Sequence, residues 1–194
     1  MTARAHAALL LAAGGSRRLG TAKQLLRVEG EPLVRRAARA LLATRPTALF
    51  VVVGARADEV YAAVADLGAS VHRVDCADWE HGLSSSLRAG IAALPEHVDS
   101  ALVALCDQPA MNHAHLEALV QQAAQQPGRA VASGYAGVVG VPALLPRAWF
   151  QELLGLGGDV GARELLRRHA DRVDVIEAPA LAFDIDEPED RSTL

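Results

Sequence analysis

Apolar and polar positions alternate in two registers along the chain. Short apolar runs rich in Val and Leu, at residues 7–12, 48–53, 70–74, 101–105, 130–133 and 173–176, predict strands. Between them lie longer stretches with helical spacing, predicting helices over 32–44, 58–67, 84–94, 113–126, 147–154 and 160–169. The punctuation agrees. Pro32 falls in the first turn of the first helix and Pro46 just past its end, Gly68 and Pro95 close the next two, and Asn112 is placed to cap the fourth. Strand-helix alternation of this kind predicts an α/β fold, a mostly parallel sheet flanked by helices.

In such sheets ligands bind beyond the carboxyl ends of the strands, so the residues after each strand are the candidates for chemistry. After the first strand, Leu11, Ala12, Ala13, Gly14, Gly15 and Ser16 lead into Arg17-Arg18-Leu19-Gly20, and Lys23 follows. Glycines bring backbone N–H groups close to a ligand, and Ser16, Arg17 and Lys23 add donors and positive charge, which suits a phosphate group. No acid precedes Glu29. Lys23 is the single lysine among 19 basic residues, a compact ammonium kept where every other cation is a guanidinium. The spacing matches neither the dinucleotide fingerprint, since Gly15 directly follows Gly14, nor a P-loop, since Gly20 is followed by Thr21-Ala22. An ordinary glycine-rich turn is the alternative.

Composition narrows the classes. A length of 194 residues suits one domain, 1–194. A formal charge of -4 argues against a general nucleic-acid binder, so any basic site is local. Cys76 and Cys106 are too few for a disulfide framework or a thiolate metal cluster and favour a reducing, cytoplasmic setting. No stretch is long enough to span a membrane, and residues 1–13 read as a buried first strand because their short apolar run enters the arginine loop directly.

Other strand ends offer Gly54-Ala55-Arg56, the stretch 75–86 and Asp107-Gln108-Pro109. Asp107 ends the fourth apolar run and is a natural ligand for a hard divalent cation, which takes one or two carboxylates plus phosphate oxygens. A turn aspartate ahead of Pro109 is the other reading. Near the end, Asp184 and Asp186 would share one side of an extended segment, and one of them would complete a metal site with Asp107. Trp79, Gly82, Leu83 and Ser86 precede a helix whose start offers N–H groups and hydroxyls to an anion, although capping by Ser84 or Ser85 explains the serines equally. Cys106 reads as a small buried residue.

Six ordered stretches together carry a resemblance: 11–20 with Lys23, Trp79-x-x-Gly82-Leu83-x-x-Ser86-Leu87, Asp107-Gln108-Pro109, Gly140-Val141-Pro142, 158–163 and 184–190. The chain resembles the molybdenum cofactor cytidylyltransferases, a group of MobA-like nucleotidyltransferases. The resemblance implies a Rossmann-like single domain that transfers CMP from CTP to the terminal phosphate of molybdopterin with magnesium, or manganese in its place, and releases pyrophosphate. It further implies that residues 12–17 and Lys23 hold the nucleotide, with Arg17, Lys23 and Asp107 catalytic. Asp107 with Asp184 and Asp186 would hold the metal. Gly54, Gly82, Ser86, Gln108 and Pro109 would contribute to binding, and the 79–86 and 159–163 segments would face the pterin. A molybdenum hydroxylase such as xanthine dehydrogenase is the implied recipient. Leu19 and Leu83 stand where the family often has methionine, a volume-keeping change. A guanylyltransferase of the same cofactor, a sugar-phosphate nucleotidyltransferase, or a cofactor carrier remain the alternatives.

Overall fold

The computed structural model describes residues 5–16, 20–158 and 160–185. The first apolar run forms β1 (His6–Leu11), and each of its residues is buried. After the glycine loop come β2 (Arg27–Val28) and β3 (Glu31–Pro32), a two-stranded antiparallel hairpin. Both residues of its turn, Glu29 and Gly30, have positive φ, as a tight two-residue connection demands. Next is α1 (Leu33–Ala43), which turns Leu33, Val34, Ala37, Ala38 and Leu41 inward on one stripe. The chain continues through β4 (Leu49–Val53), α2 (Ala57–Ala62), β5 (Val71–Asp75), α3 (Leu83–Ala92) and β6 (Ser100–Leu105). It then forms α4 (His113–Gln125), β7 (Ala130–Tyr135), β8 (Val138–Pro146), α5 (Phe150–Leu154), α6 (Ala162–Arg168) and β9 (Val173–Glu177).

Seven strands make the main sheet in the order β5-β4-β1-β6-β8-β7-β9. All run the same way except β8, which is antiparallel to both β6 and β7. Alternation along β1 assigns its side chains to two core layers. Leu9 and Leu11 join the layer of α3, α5 and α6, whereas Ala8 and Leu10 join that of α1, α2 and α4. Burying a leucine completely stabilises by about 1.5–3 kcal/mol, and both Leu9 and Leu10 are fully buried. From β1 the chain builds outward to β4 and β5, then returns to place β6 on the other side of β1. The switch point lies between β1 and β6, where the two strands diverge in connection and leave a crevice above their carboxyl ends.

Six of the strands and all six helices fall where the sequence places them, with four corrections. The short hairpin strands β2 and β3 are absent from the sequence reading. β8 is absent as well. Gly140 and the cis-linked Pro142 interrupt its hydrophobic pattern, and proline normally demotes a strand. The helix expected over 58–67 ends at Ala62 and resumes as a 3-10 turn over Ala65–Leu67, because Val64 departs from helical geometry. The helix expected from 147 opens as a 3-10 turn, Arg147–Trp149, before α5. Asn112 does cap α4, its side chain accepting from His115 N at 3.1 Å.

Candidate active site

The crevice at the β1/β6 switch point is a cavity of about 640 Å³. Leu11, Ala12, Ala13, Gly14 and Gly15 form one wall, and Lys23, from the 3-10 turn Lys23–Leu25, and Asp107, just after β6, also line the cavity. Gly82 and Ser86, at the start of α3, close another side. Ser16 stands just behind this wall with φ +49°, a left-handed conformation rarely taken by a residue with a side chain.

Gln24, which the sequence reading did not single out, shapes the loop. Its side chain is 1 % exposed, and its amide donates to Ala12 O at 2.9 Å and to Gly14 O at 2.7 Å. Ala55 N satisfies the intervening carbonyl of Ala13 at 3.0 Å. Three successive carbonyls are therefore held from behind, while the amides of Gly14, Gly15 and Ser16 donate to no backbone carbonyl among the described residues. A run of N–H groups left free in this way makes an anion-binding concavity. The signal for Gln24 is weak in the sequence, since one polar residue in the short turn Lys23–Leu25 belongs to no periodic pattern.

Trp79 explains two of the glycines. A Cβ on Gly15 would lie 2.6 Å from the Trp79 ring, and one on Gly54 would lie 2.6 Å from Trp79 Cβ and 2.8 Å from Ala13 O. The indole thus packs across the loop and across the end of β4, and Gly54 serves by admitting it rather than by lining the cavity.

Lys23 Nζ pairs with Asp107 Oδ2 at 2.5 Å, with both side chains largely buried. The Lys23 main chain is tied to the loop, its N–H donating to Ser16 Oγ at 2.9 Å. The other carboxylate oxygen, Asp107 Oδ1, is buried and has no hydrogen-bond partner among the described residues. A buried carboxylate oxygen without a partner, on a residue that lines the cavity, fits a hard divalent cation. Among the described residues no three His, Cys, Asp or Glu side chains gather as a metal cluster.

The C-terminal arm returns to this strand end. Ile185 N donates to Asp107 O at 3.0 Å, and Gln108 Nε2 donates to Leu181 O at 3.2 Å. Ile185 is fully buried, so its neighbour Asp184 faces outward, beside the segment that carries Asp107. Gln108 and Pro109 do not line the cavity; Gln108 anchors the arm instead. Arg17, Asp159 and Asp186 lie outside the described residues. Capping of α3 by Ser84 or Ser85 does not occur, because Gly82 holds the N-cap position and Ser84 Oγ donates to Gly158 O.

Cys106 reaches the cavity wall but is buried, and burial pushes its thiol pKa up to about 12, with the Asp107 carboxylate adding to the shift. A neutral thiol is a poor nucleophile. A second cavity of about 210 Å³ adjoins the first across Leu11, Leu83 and Leu105 and runs on to Tyr135, Gly140 and Arg163.

A parallel sheet with a phosphate-suited glycine loop, a lysine and a carboxylate at its switch point defines a nucleotidyltransferase scaffold. Residues 8–173 match the MobA-like NTP transferase domain, and the chain belongs to that family. It is 31% identical to the purine catabolism protein PucB of Bacillus subtilis, over 82% of this chain and 79% of that one. It is 34% identical to nicotine blue oxidoreductase of Paenarthrobacter nicotinovorans, over 87% and 85%. Among solved structures, Rv0371C of Mycobacterium tuberculosis in complex with manganese superposes with a TM-score of 0.79 at 25% identity, covering 98% of this chain and 97% of that one.

Proposed function

We propose that residues 1–194 act as one nucleotidyltransferase unit that moves CMP from CTP to the terminal phosphate of molybdopterin and releases pyrophosphate. The observation that carries this reading is the pairing of Lys23 with Asp107 across the switch point, beside a loop in which the carbonyls of Ala12, Ala13 and Gly14 are held by hydrogen bonds. Family membership supports nucleotidyl transfer in general. The cytidylyl and molybdopterin assignments rest on the resemblance that the six ordered motifs carry.

In this reading the free amides of the loop and the Lys23 ammonium bind the triphosphate, with Arg17 adding charge. They hold the α-phosphorus in line with an attacking phosphate oxygen of the acceptor, so the bond to pyrophosphate breaks as the new one forms. Lys23 and Arg17 counter the negative charge that builds on the leaving pyrophosphate. Asp107, with Asp184 or Asp186, would hold magnesium or manganese, which supplies charge neutralisation on the phosphates. The manganese complex of Rv0371C supports a divalent ion in this family. The adjoining cavity near Gly140 and Arg163 has the placement an acceptor needs, next to the nucleotide and partly apolar. The protein forms no covalent intermediate, in keeping with the neutral Cys106 thiol.

The name of one relative, nicotine blue oxidoreductase, raises a redox alternative. The glycine spacing favours transfer, because it departs from the dinucleotide fingerprint. Incubation with molybdopterin and each of CTP, GTP and ATP, with pyrophosphate as the readout, is expected to show release with CTP. Release with GTP alone would reassign the base. Tight pterin binding without turnover of any nucleotide would make the chain a carrier, and oxidation of NADH or NADPH in place of pyrophosphate release would favour the redox alternative.

A further inference from the structure

We infer that Lys23 is a latch on Asp107 that makes metal and nucleotide enter the site together; the inference rests on the proposed reading of both residues. The ammonium and the carboxylate are the two groups that the two ligands require, and in the structure they pair with each other at 2.5 Å. A bare cation approaching Asp107 therefore meets a positive charge on Oδ2, while Oδ1 is buried. Like charges this close in a partly buried site repel strongly, since solvent screens them little.

Nucleotide reverses the balance. The triphosphate offers the Lys23 ammonium an alternative anion on the adjacent loop, and Lys23 is positioned to take it because its own backbone N–H is fixed to Ser16 Oγ at 2.9 Å. A change of side-chain direction about a fixed backbone hands the lysine from carboxylate to phosphate and frees Asp107 Oδ2 for the cation. Coupling of this kind is reciprocal, so the cation strengthens nucleotide binding by the same factor that nucleotide strengthens cation binding. While the pair holds, neither ligand occupies the site efficiently alone.

The test is a titration of the whole chain with Mn2+ in the absence of nucleotide, following free Mn2+ by its electron paramagnetic resonance signal, with circular dichroism to verify folding. Lys23→Met and Lys23→Gln are both expected to bind Mn2+ at least about tenfold more tightly than wild type, and adding Asp107→Asn to Lys23→Met is expected to remove the gain. Affinity in both lysine variants equal to or weaker than wild type overturns the latch, as does a gain that survives in the double variant. The cytidylyl reading is judged separately, by saturable association of Mn2+-CTP with wild type; its absence sinks that reading whatever the lysine variants do with Mn2+ alone.

Discussion

Gln24 uses both protons of its amide on carbonyls of the glycine loop, so a side chain of similar volume without donors leaves two buried carbonyls unpaired. Gln24→Met is expected to raise the KM for CTP by about tenfold or more while lowering kcat less, with a loss of stability of about 1–3 kcal/mol, measured by steady-state pyrophosphate release and urea unfolding. An unchanged KM would mean the loop holds its shape without the clamp. Lys23→Ala should cut turnover by roughly 10²–10³-fold with the fold intact, the scale seen when a positioned donor to developing charge is removed. Asp107→Asn, nearly isosteric, should abolish metal-dependent turnover, and retained metal dependence would remove Asp107 from the site. Cys106 offers the contrasting case. With its thiol pKa pushed up to about 12, it is neutral at working pH, and Cys106→Ala is expected to retain turnover within about threefold.

Helix α3 binds the two halves of the site because of how closely it approaches the sheet. A Cβ on Gly90 would overlap the side chain of Leu9 in β1, so Gly90→Ala should destabilise by about 1–3 kcal/mol through overpacking, read as a lower urea midpoint at unchanged slope. A variant as stable as wild type would show that α3 can lift from β1 freely. At this scale the sequence was legible where pattern and punctuation agreed. β1, its loop and Asp107 could be placed because an apolar run ends in glycine or aspartate at a sheet edge, and α4 because Asn112 is a good cap. β8 was hidden because its residues carry a glycine and a proline inside an apolar run, and its antiparallel pairing depends on β6 and β7, far away in sequence. The anchoring role of Gln108 was hidden for a related reason: adjacency to Asp107 says nothing about the arm it holds. Gln24 and the Trp79 contacts arise only when the loop is folded.

Across the whole molecule, two histidines set a pH dependence. His6 is buried, with Nε2 3.0 Å from Thr44 Oγ1; Thr44 already donates to Leu41 O, so the ring donates to Thr44. Burial lowers the pKa of His6 and of His115, whose Nε2 lies 2.8 Å from Ser133 Oγ. Near neutral pH both rings are uncharged in the folded and unfolded chains, and no penalty arises. As pH falls through about 6.5 the unfolded chain binds protons that the fold resists, so stability declines until the lowered folded values are reached. Tm should therefore be lower at pH 5.5 than at pH 7.5, and His6→Gln should flatten the dependence; a Tm that rises on acidification contradicts the account. The chain has only two tryptophans, and their surroundings differ. Trp149 is 1 % exposed in the core against His169, while Trp79 covers the glycine loop. The molecule thus carries an intrinsic optical reporter with its own internal standard, in which emission from the indole over the loop should shift as CTP arrives and that of the core indole should hold steady.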